Sequence, residues 1–515
     1  MDKINLILFP EEINNKEFII SKISEKSGFP TNEIKDFRII RKSIDARKSV
    51  KINIDLEFIT SSETFNDNSY IFDFKDVRNK KHIIIVGAGP AGYFAALECC
   101  LLGLKPIVLE RGKSVDERKF DIAILNKEQK LDPESNYLFG EGGAGTYSDG
   151  KLYTRSKKRG DNTKVLQLFH YFGANENILY ESHPHIGTDK LTNIMKNIRA
   201  KIIDCGGEIH FNTKVNSLII NNNEIKGVKT ETGEIFSSEY VVLATGHSAH
   251  DVYYFLNDQN VLLQSKAFAM GVRVEHPQEL INTIQYKKYK SKDLPSASYN
   301  LVTQVDNRGV YSFCMCPGGM IVNSSVNKEQ IAVNGMSNSY RNSEFANSGI
   351  VVEIRVEDYA SYSNNLTFAG LEMQKNLEKL AYQNAASGLQ VPAQRLPDFV
   401  ARKISGTLPK CSYIPGLVSS PLHFWLPEFI GKRLQNAFKE FDKKMHGFLT
   451  NEALAVGVES RTSSPIKIVR NEDYCSENIK GLYPCGEGAG YSGGIVSSAI
   501  DGQNVVKKII DNQSF

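Results

Sequence analysis

Residues 82–92 read HIIIVGAGPAG, a β-branched run followed by a glycine-rich turn. Such a run is typical of a buried parallel strand, and the helix predicted after it ends at Gly103, a common residue at helix C-termini. Within the turn, Gly87 permits the tight bend, Gly89 lets the backbone approach a pyrophosphate, and Gly92 allows close packing of the helix on the strand. These residues predict a Rossmann-type dinucleotide-binding unit.

A second strand and an acidic residue extend this unit. Residues 105–109 read KPIVL, and the Glu110 after them follows Gly92 at close to the ~20-residue spacing at which an acid binds a ribose hydroxyl. The order strand, turn, helix, strand and acid distinguishes this site from a glycine-rich surface loop. The residues expected to contact the cofactor here are Gly87, Ala88, Gly89, Pro90, Ala91, Gly92, Glu110 and Arg111.

The composition is that of an ordinary globular protein. The chain has 515 residues, of which 41% are hydrophobic and 23% charged, and at about 150 residues per domain this length predicts roughly three domains. A net charge of +3 gives no reason to expect a nucleic-acid or membrane partner, and the eight cysteines form neither a dense disulfide framework nor paired zinc knuckles. No run approaches the roughly 18 apolar residues of a membrane span, and residues 1–10 carry too short an apolar run for a signal peptide. We therefore expect a cytoplasmic enzyme with reduced thiols and no metal site.

Two further segments resemble flavoproteins of the glutathione-reductase-like superfamily, which bind FAD at several distant points of the chain. Residues 234–246 read EIFSSEYVVLATG and resemble the superfamily's ATG motif, an apolar strand that ends beside the adenosine half of FAD at Thr245 and Gly246. Residues 208–215 read EIHFNTKV and resemble the strand in which the backbone of Val215 meets the adenine.

A third segment resembles the C-terminal flavin motif of the same superfamily. Residues 481–488 read GLYPCGEG, with Glu487 in place of the usual Asp, and a last helix is predicted from Val496 to Ile510. The positive N-terminal end of that helix would face the flavin pyrimidine ring. Three such motifs in order imply FAD rather than NAD. The residues that the resemblance places at the flavin are Gly486, Glu487, Gly493, Gly494 and Ile495.

A glycine-rich loop lies between the second strand and the adenine-side strand. Residues 139–151 read FGEGGAGTYSDGK, a glycine density that suits close approach of the backbone to a ligand. In related flavoproteins a loop at this point lies along the flavin, so we expect Gly142, Gly143, Gly145 and Lys151 to contact it. A mobile surface loop of the same composition is the alternative.

Residues from about 35 to 515 resemble bacterial uncharacterised FAD-dependent dehydrogenases. The segments that carry this resemblance are 139–151, 182–189 (SHPHIGTD), 313–319 (FCMCPGG) and 459–465 (ESRTSSP). The resemblance implies an α/β fold, non-covalently bound FAD and an oxidoreductase. It brings no established substrate.

The chain is predicted to form three domains. Residues 1–75 form a small α+β domain with a strand, an amphipathic helix and a hairpin, whose basic turn at residues 41–48 is either a site for a phosphate or acidic partner or a solvated tip. Residues 76–265 and 445–515 form the two segments of a Rossmann-type FAD-binding domain. Residues 266–444 form an inserted α+β substrate or cap domain, so we expect a pocket at the boundary between the FAD-binding and cap domains.

The candidate catalytic residues are Arg461, Glu459 and His185. Glu459 and Arg461 could anchor an anionic substrate or stabilise the charge of reduced flavin, and the structural alternative is a partly buried ion pair. His185 titrates near neutrality and is a candidate acid–base group or flavin contact, with a structural hydrogen-bonding role as the alternative. Cys314 and Cys316 could form a redox pair, but neighbours on one face of a regular strand lack the geometry of an easy disulfide, so we expect buried thiols.

The first functional hypothesis is a dehydrogenase or reductase that passes a hydride between a small organic substrate and flavin N5. The alternatives are a flavin monooxygenase, an FAD-dependent RNA-modifying enzyme that uses the basic N-terminal domain, and a non-catalytic FAD-binding protein. Pyridine-nucleotide disulfide reductases carry a second glycine-rich dinucleotide motif and a CxxC, and neither occurs after Gly92. We therefore expect the substrate or an electron-transfer protein partner to reduce the flavin, and NADH and NADPH to do so slowly.

Overall fold

The computed structural model describes residues 2–65, 70–153, 160–287 and 289–512. The strands are β1 (Asp2–Leu8), β2 (Ile34–Asp45), β3 (Lys51–Thr60), β4 (His82–Val86), β5 (Lys105–Leu109), β6 (Glu208–His210), β7 (Val215–Asn221), β8 (Glu224–Thr230), β9 (Ile235–Ser237), β10 (Val241–Leu243), β11 (Leu263–Ser265), β12 (Phe268–Pro277), β13 (Val302–Val305), β14 (Arg308–Cys316), β15 (Gly319–Asn323), β16 (Val333–Ser337), β17 (Phe345–Ile354), β18 (Val391–Arg395), β19 (Leu417–Ser419), β20 (Leu454–Glu459), β21 (Ile466–Ile468) and β22 (Leu482–Pro484). The α-helices are α1 (Lys16–Ser27), α2 (Pro90–Leu102), α3 (Val115–Glu128), α4 (Gly143–Thr146), α5 (Asn162–Tyr171), α6 (Thr188–Asp204), α7 (His250–Asp258), α8 (Gln278–Tyr286), α9 (Val356–Tyr359), α10 (Leu366–Gln383), α11 (Leu396–Ala401), α12 (Leu422–Trp425), α13 (Glu428–Lys444) and α14 (Ile495–Asp511). Among the helices of the described residues, none has both the length and the apolar character that crossing a membrane requires.

The N-terminal domain is a three-stranded antiparallel sheet with one helix packed on it. The sheet order is β1-β3-β2, and the alternate residues Ile52, Ile54 and Leu56 of β3 are buried against α1, as their spacing predicts. The predicted strand, helix and hairpin are confirmed. At the basic turn, the carbonyl oxygen of Arg47 accepts a hydrogen bond from Lys287 of the insertion (2.5 Å). One side of the turn therefore contacts the inserted domain.

The predicted FAD-binding domain is built on a five-stranded parallel sheet. Its order is β22-β10-β4-β5-β6, so the two chain segments meet where β10 pairs with β22. The predicted strands β4 and β5 are confirmed, and α2 ends at a left-handed C-cap, Gly103, as expected. Helices α2 and α14 pack together on one face of the sheet. The carboxyl ends of the strands share one edge, where sheets of this kind bind ligands.

Two predicted strands are divided in the structure. Residues 208–215 contain β6 and the start of β7, and residues 234–246 contain β9 and β10. Strands β7, β8 and β9 form a separate antiparallel sheet, while β6 and β10 belong to the parallel sheet. A run of apolar residues does not show which sheet it joins, because that depends on partners distant in the sequence.

The cap domain is centred on a seven-stranded sheet of order β13-β14-β17-β12-β20-β18-β19. Its pairs are antiparallel except for β18 with β19, and the strand predicted at residues 267–274 is β12. Strand β20 lies between β12 and β18, so the insertion continues past residue 444, the predicted boundary. The apolar residues of β20 are as typical of the parallel sheet as of the cap sheet. For this reason β20 is predicted to lie in the second FAD-binding segment, after residue 444.

Residues 70–77 lead from the N-terminal domain and pack on the predicted FAD-binding domain. The amide of Lys75 donates to the carbonyl oxygen of Cys100 (3.0 Å), and the amide of Val77 donates to that of Cys205 (2.7 Å). Val77 is also fully buried. Residues 70–75, which are predicted to belong to the N-terminal domain, thus lead into a segment that is hydrogen-bonded to the predicted FAD-binding domain.

Candidate functional site

A cleft lies at the carboxyl edge of the parallel sheet, between this sheet and the cap domain, where a pocket is predicted. It holds about 370 Å³ of water-accessible space, within the ~300–1,000 Å³ typical of ligand sites. The predicted cofactor residues that line it are Gly87, Gly89, Pro90, Ala91, Glu110, Arg111, Gly143, Gly145, Lys151, Val215, Thr245, Gly246, Gly486, Glu487, Gly493, Gly494 and Ile495. On the cap side, Phe313, Cys314 and Asn334 face the same cleft. The fold thus gathers every predicted cofactor segment at one site.

Three of the predicted cofactor residues, Ala88, Gly92 and Gly142, do not line the cleft. The amide of Ala88 donates to Oε2 of Glu110 (2.8 Å), and its side chain is fully buried. A Cβ at Gly92 would overlap the carbonyl oxygen of Gly87, which is the close helix–strand packing that the sequence predicts. A Cβ at Gly142 would overlap a threonine hydroxyl of the same loop. These residues shape the loops that form the cleft wall.

Three glycines of the cleft wall are not required by the fold itself. A Cβ added at Gly89, Gly493 or Gly494 would have no atom within 4 Å, and none of the three has a left-handed backbone. By contrast, Gly87 has a φ of +105°, and its Cβ would overlap the carbonyl oxygen of Ala244. The open glycines stand at the N-termini of α2 and α14, where bare backbone and the helix dipole suit the pyrophosphate and the pyrimidine ring of FAD.

Glu110 joins two of the loops that form the cleft. Its Oε2 accepts the amide of Ala88 (2.8 Å), and its Oε1 accepts the amides of Gly112 (2.9 Å) and Gly140 (3.0 Å). The carboxylate is buried, with 5% of the residue exposed, and it lines the cleft. A ribose contact would therefore add to a structural role that the sequence does not reveal.

Arg111 lines the cleft next to Glu110, and its charge is already paired. Its guanidinium forms ion pairs with Glu134 (2.5 Å) and Asp251 (2.7 Å) and lies over the ring of Phe139, 4.6 Å from the ring centroid. Burial disfavours the charged guanidinium, but the hydrogen bonds that it donates to Asp251 and Glu134 and the charges of these carboxylates together raise the pKa of Arg111. A guanidinium held on three sides is a rigid part of the wall.

The glycine-rich loop at residues 139–151 is held from below by a buried arginine. Arg118 is fully buried and donates to the carbonyl oxygens of Asn136 (2.7 Å), Glu141 (2.8 Å) and Gly143 (2.9 Å). Burial lowers the pKa of Arg118 to about 10, so it remains a cation at neutral pH. The loop is thus fixed along the cleft, as the resemblance implies, and is not a surface loop.

Comparison with known proteins identifies the family. Residues 267–462 match a family described as FAD-dependent protein, C-terminal domain-like, and residues 1–59 match a domain of unknown function. Over 532 residues, the chain is 38% identical to an uncharacterised protein of Clostridium beijerinckii, covering 99% of this chain and 98% of that protein. The chain belongs to this family of uncharacterised FAD-dependent proteins. Its cofactor is FAD, so the protein is a flavoprotein.

Solved structures that align with this FAD-dependent protein are distant from it. They include CtdE in complex with FAD (10% identity, TM-score 0.34, 84% of each chain). L-proline dehydrogenase from P. horikoshii aligns with 13% identity and a TM-score of 0.33 over 84% of this chain and 94% of that one. A geranylgeranyl bacteriochlorophyll reductase-like protein from Thermoplasma acidophilum aligns with 13% identity and a TM-score of 0.35 over 84% and 80%. Likeness at this level does not extend to a shared reaction.

Arg461 lines the cleft and forms a buried ion pair. Its Nε and Nη2 atoms donate to the carboxylate of Glu378 at 2.9 and 2.8 Å. Its remaining nitrogen, Nη1, is buried and has no hydrogen-bond partner among the described residues. The geometry thus matches the ion-pair alternative, with Glu378 as the partner.

Glu459 does not line the cleft. Its Oε2 lies 3.0 Å from Nη1 of Arg273, and both side chains are buried. Burial raises the pKa of Glu459 to about 7, against the opposing effect of Arg273. The geometry matches the ion-pair alternative, and Glu459 would act on the cleft only through Arg273.

His185 also lies outside the cleft wall. It forms a β-bridge with Lys151, and its Nε2 lies 3.1 Å from the carbonyl oxygen of Ser339. Burial and the charge of Arg341 lower the pKa of His185, so the imidazole is neutral near pH 7. This placement matches the hydrogen-bonding alternative more closely than an acid–base role.

Sequence reasoning misses Arg273, which is buried behind the cap side of the cleft. Its guanidinium donates to Asn347 (2.8 Å), Glu459 (3.0 Å) and the carbonyl oxygen of Cys314 (2.7 Å). A single charged residue in the otherwise apolar run of residues 267–274 is the signal that could have found it, because a buried cation needs a paired anion.

His247 is a second cleft residue that the sequence does not single out. It directly follows Gly246, and its Nδ1 lies 3.2 Å from Oε2 of Glu487 while its Nε2 lies 3.2 Å from the carbonyl oxygen of Arg461. The imidazole therefore lies between the ATG segment and the two C-terminal segments, and among the described residues its hydrogen bond is to the Arg461 carbonyl rather than to Glu487. Its position next to the motif glycine is the only sequence signal for it.

Proposed function

We propose that this protein is an FAD-dependent dehydrogenase or reductase that transfers a hydride between a small organic substrate and flavin N5. The observation that supports this proposal is that the cofactor segments and the cap domain face one cleft. A substrate bound against Phe313 and Asn334 of the cap would share that cleft with the cofactor. When bound, FAD supplies the two-electron chemistry, and the protein supplies orientation and electrostatics.

We assign the cofactor contacts segment by segment. Gly89 and the N-terminus of α2 would bind the pyrophosphate, Glu110 a ribose hydroxyl, and Val215 the adenine. Gly493 and Gly494, at the N-terminus of α14, would meet the pyrimidine ring. We propose non-covalent binding, because the contacts assigned here come from glycine backbone, helix N-termini and one carboxylate.

Arg461 is the residue that we place at the negative charge of the reaction. Its ion pair with Glu378 fixes the guanidinium, and its Nη1 atom, which has no partner among the described residues, would donate to reduced flavin or to an anionic substrate. His247, between Glu487 and the Arg461 carbonyl, would hold that corner of the cleft in place. Glu459 and His185 are positioning residues in this proposal, because neither lines the cleft.

The test is anaerobic reduction of the holoenzyme with a panel of small organic substrates. Bleaching of the oxidised flavin band without oxygen, together with a product that has lost two hydrogen atoms, is the expected result. If a product forms only in the presence of oxygen and contains one more oxygen atom than the substrate, the enzyme is a monooxygenase instead. Ligand that co-purifies with the protein gives the first candidates for the panel.

A further inference from the structure

Two cysteines lie on the cap side of the cleft, at the end of β14. Cys314 lines the cleft, and Cys316 is buried behind it. The pairing of β14 with β17 shifts register between Phe313 and Cys316, and Cys314 has a left-handed φ of +45°. We expected two inert thiols because we assumed that β14 is regular here. The strand is irregular at this point, so that assumption does not apply.

The irregular backbone brings the Cys316 thiol back onto Cys314. Sγ of Cys316 lies 3.3 Å from the carbonyl oxygen of Cys314 and donates a hydrogen bond to it. In a regular strand, residues two apart are separated by roughly 6.6 Å, whereas a disulfide needs Cβ atoms about 3.5–4.5 Å apart. A bulge bends the strand and redirects its side chains, which removes the geometric objection to a bond between these two sulfurs.

Two cations contact the loop that carries the pair. Arg273 donates through Nη2 to the Cys314 carbonyl oxygen (2.7 Å) and to Sγ of Cys316 (3.5 Å). Lys151, on the cleft wall, donates to the carbonyl oxygen of Met315 between the two cysteines. Positive charge at this distance stabilises a thiolate, the form of cysteine that reacts.

The acidic groups nearby do not cancel this charge. Glu459 pairs with Arg273 (3.0 Å), and Asp149 lies 2.5 Å from Arg341 and 3.7 Å from Lys151. When all five groups are ionised, three cations face two carboxylates, which leaves one positive charge for one thiolate to balance. The surroundings therefore suit a pair with one ionised and one protonated sulfur.

The two thiols differ in acidity in the direction that this charge pattern requires. The neighbouring Cys316 thiol, with the charges of Lys151 and Arg273, holds the pKa of Cys314 well below its usual range. The neighbouring Cys314 side chain and burial raise the pKa of Cys316. Cys314, the more accessible of the two, is thus the thiolate, and Cys316 keeps its proton.

We propose that Cys314 and Cys316 form a redox-active pair that exchanges two electrons with the FAD of the same cleft. On oxidation, a bond forms between the two sulfur atoms and the S–H bond of Cys316 breaks; two electrons and one proton pass to FAD. The reverse transfer restores the thiolate and the thiol. The external reductant is a small thiol, of which two molecules are consumed. The first opens the disulfide and forms a mixed disulfide with one cysteine, and the second releases it as the small-molecule disulfide and leaves both cysteines reduced. This inference requires bound FAD but is independent of hydride transfer from an organic substrate.

The electron capacity of the air-oxidised holoenzyme tests the pair. In an anaerobic dithionite titration, the wild-type protein should take up about four electrons per bound FAD, because the flavin and the disulfide each accept about two. The Cys316→Ser variant should take up about two. Cys475→Ser is the control, since that thiol lies outside the cleft wall, and it should behave as the wild type. FAD content is measured for each protein, so that loss of cofactor is not mistaken for loss of the pair.

A second measurement on the unmodified protein does not depend on any variant folding. Alkylation of the denatured air-oxidised protein should leave the peptide with Cys314 and Cys316 unlabelled, and prior reduction with dithiothreitol should expose both thiols. Uptake of about two electrons by the wild type, with both cysteines labelled before reduction, would overturn the inference. If an organic substrate still bleached that flavin, the proposed function would stand alone. Uptake of about four electrons without reduction by any organic substrate would leave the thiol pair standing and the proposed function failing.

Discussion

Replacement of Gly89 by valine separates cofactor binding from folding. A Cβ at this position meets no atom within 4 Å and the φ of −76° is open to any residue, so the cost in stability is confined to the helix N-cap preference, at most about 1 kcal/mol. The valine side chain would fill the space in which the backbone at the start of α2 meets the pyrophosphate. Loss of two charge-assisted hydrogen bonds at about 1.5–3 kcal/mol each is roughly 3–6 kcal/mol, or on the order of 10²- to 10⁴-fold in the FAD dissociation constant.

The assay is FAD titration of the apoprotein, with thermal unfolding of the same samples. Gly406→Val is a matched control, because Gly406 also has open space around it and no left-handed backbone but lies outside the cleft wall. The control should bind FAD like the wild type. Wild-type FAD affinity in Gly89→Val would refute the reasoning, and so would an apoprotein destabilised by several kcal/mol.

Four shorter predictions follow from the same structure. Glu110→Ala should weaken FAD binding by about 1.5–3 kcal/mol, since a charge-assisted bond is lost, and an unchanged dissociation constant in the titration would remove Glu110 from the ribose site. Removal of residues 1–65 should leave the flavin spectrum intact, because the cofactor segments all follow it, whereas a folded but flavin-free product would show that the N-terminal domain completes the site. NADH and NADPH should bleach the flavin slowly in anaerobic stopped-flow experiments, and fast saturable bleaching at micromolar NADPH would reveal a nicotinamide site. Burial raises the pKa of Glu459 in the folded protein to about 7, above its ordinary value of roughly 4.3. The folded protein therefore holds this proton more tightly than the unfolded chain does. The stability that the bound proton contributes declines as the pH rises from roughly 4.3 to about 7. Glu459→Gln should flatten this part of the profile of melting temperature against pH, and an unchanged slope would contradict the assignment.

The parts of the site that depend on local sequence could be predicted. The first strand, the glycine turn and its helix lie within residues 82–103, so propensity, spacing and capping all act over a short range. The packing roles of Gly87 and Gly92 follow from the same short range and are confirmed. The last helix is also confirmed, as α14, because its N-terminal glycines and apolar periodicity are local signals.

Pairings between distant segments could not be predicted. Arg273 and Glu459 are 186 residues apart, and the sequence has no signal that joins them, so Glu459 was expected at the cleft beside Arg461. Arg461 instead pairs with Glu378, 83 residues away in α10. The contact between the two cysteines depends on a bulge in β14, where Cys314 has a left-handed backbone. The spacing Cys314-x-Cys316 does not indicate a bulge, so the sequence alone could not predict this contact.

The measurement that tests the central claim most directly is anaerobic reduction of the bound flavin, with mass analysis of the product and of the cofactor released on acid denaturation. The account predicts that FAD is released intact, and that at least one small organic substrate bleaches the flavin without oxygen and loses two hydrogen atoms. It also predicts that the Gly89→Val protein, folded but without FAD, turns over no substrate. A purified protein that is colourless and takes up no FAD, or a product that forms only with oxygen and gains an oxygen atom, would contradict it.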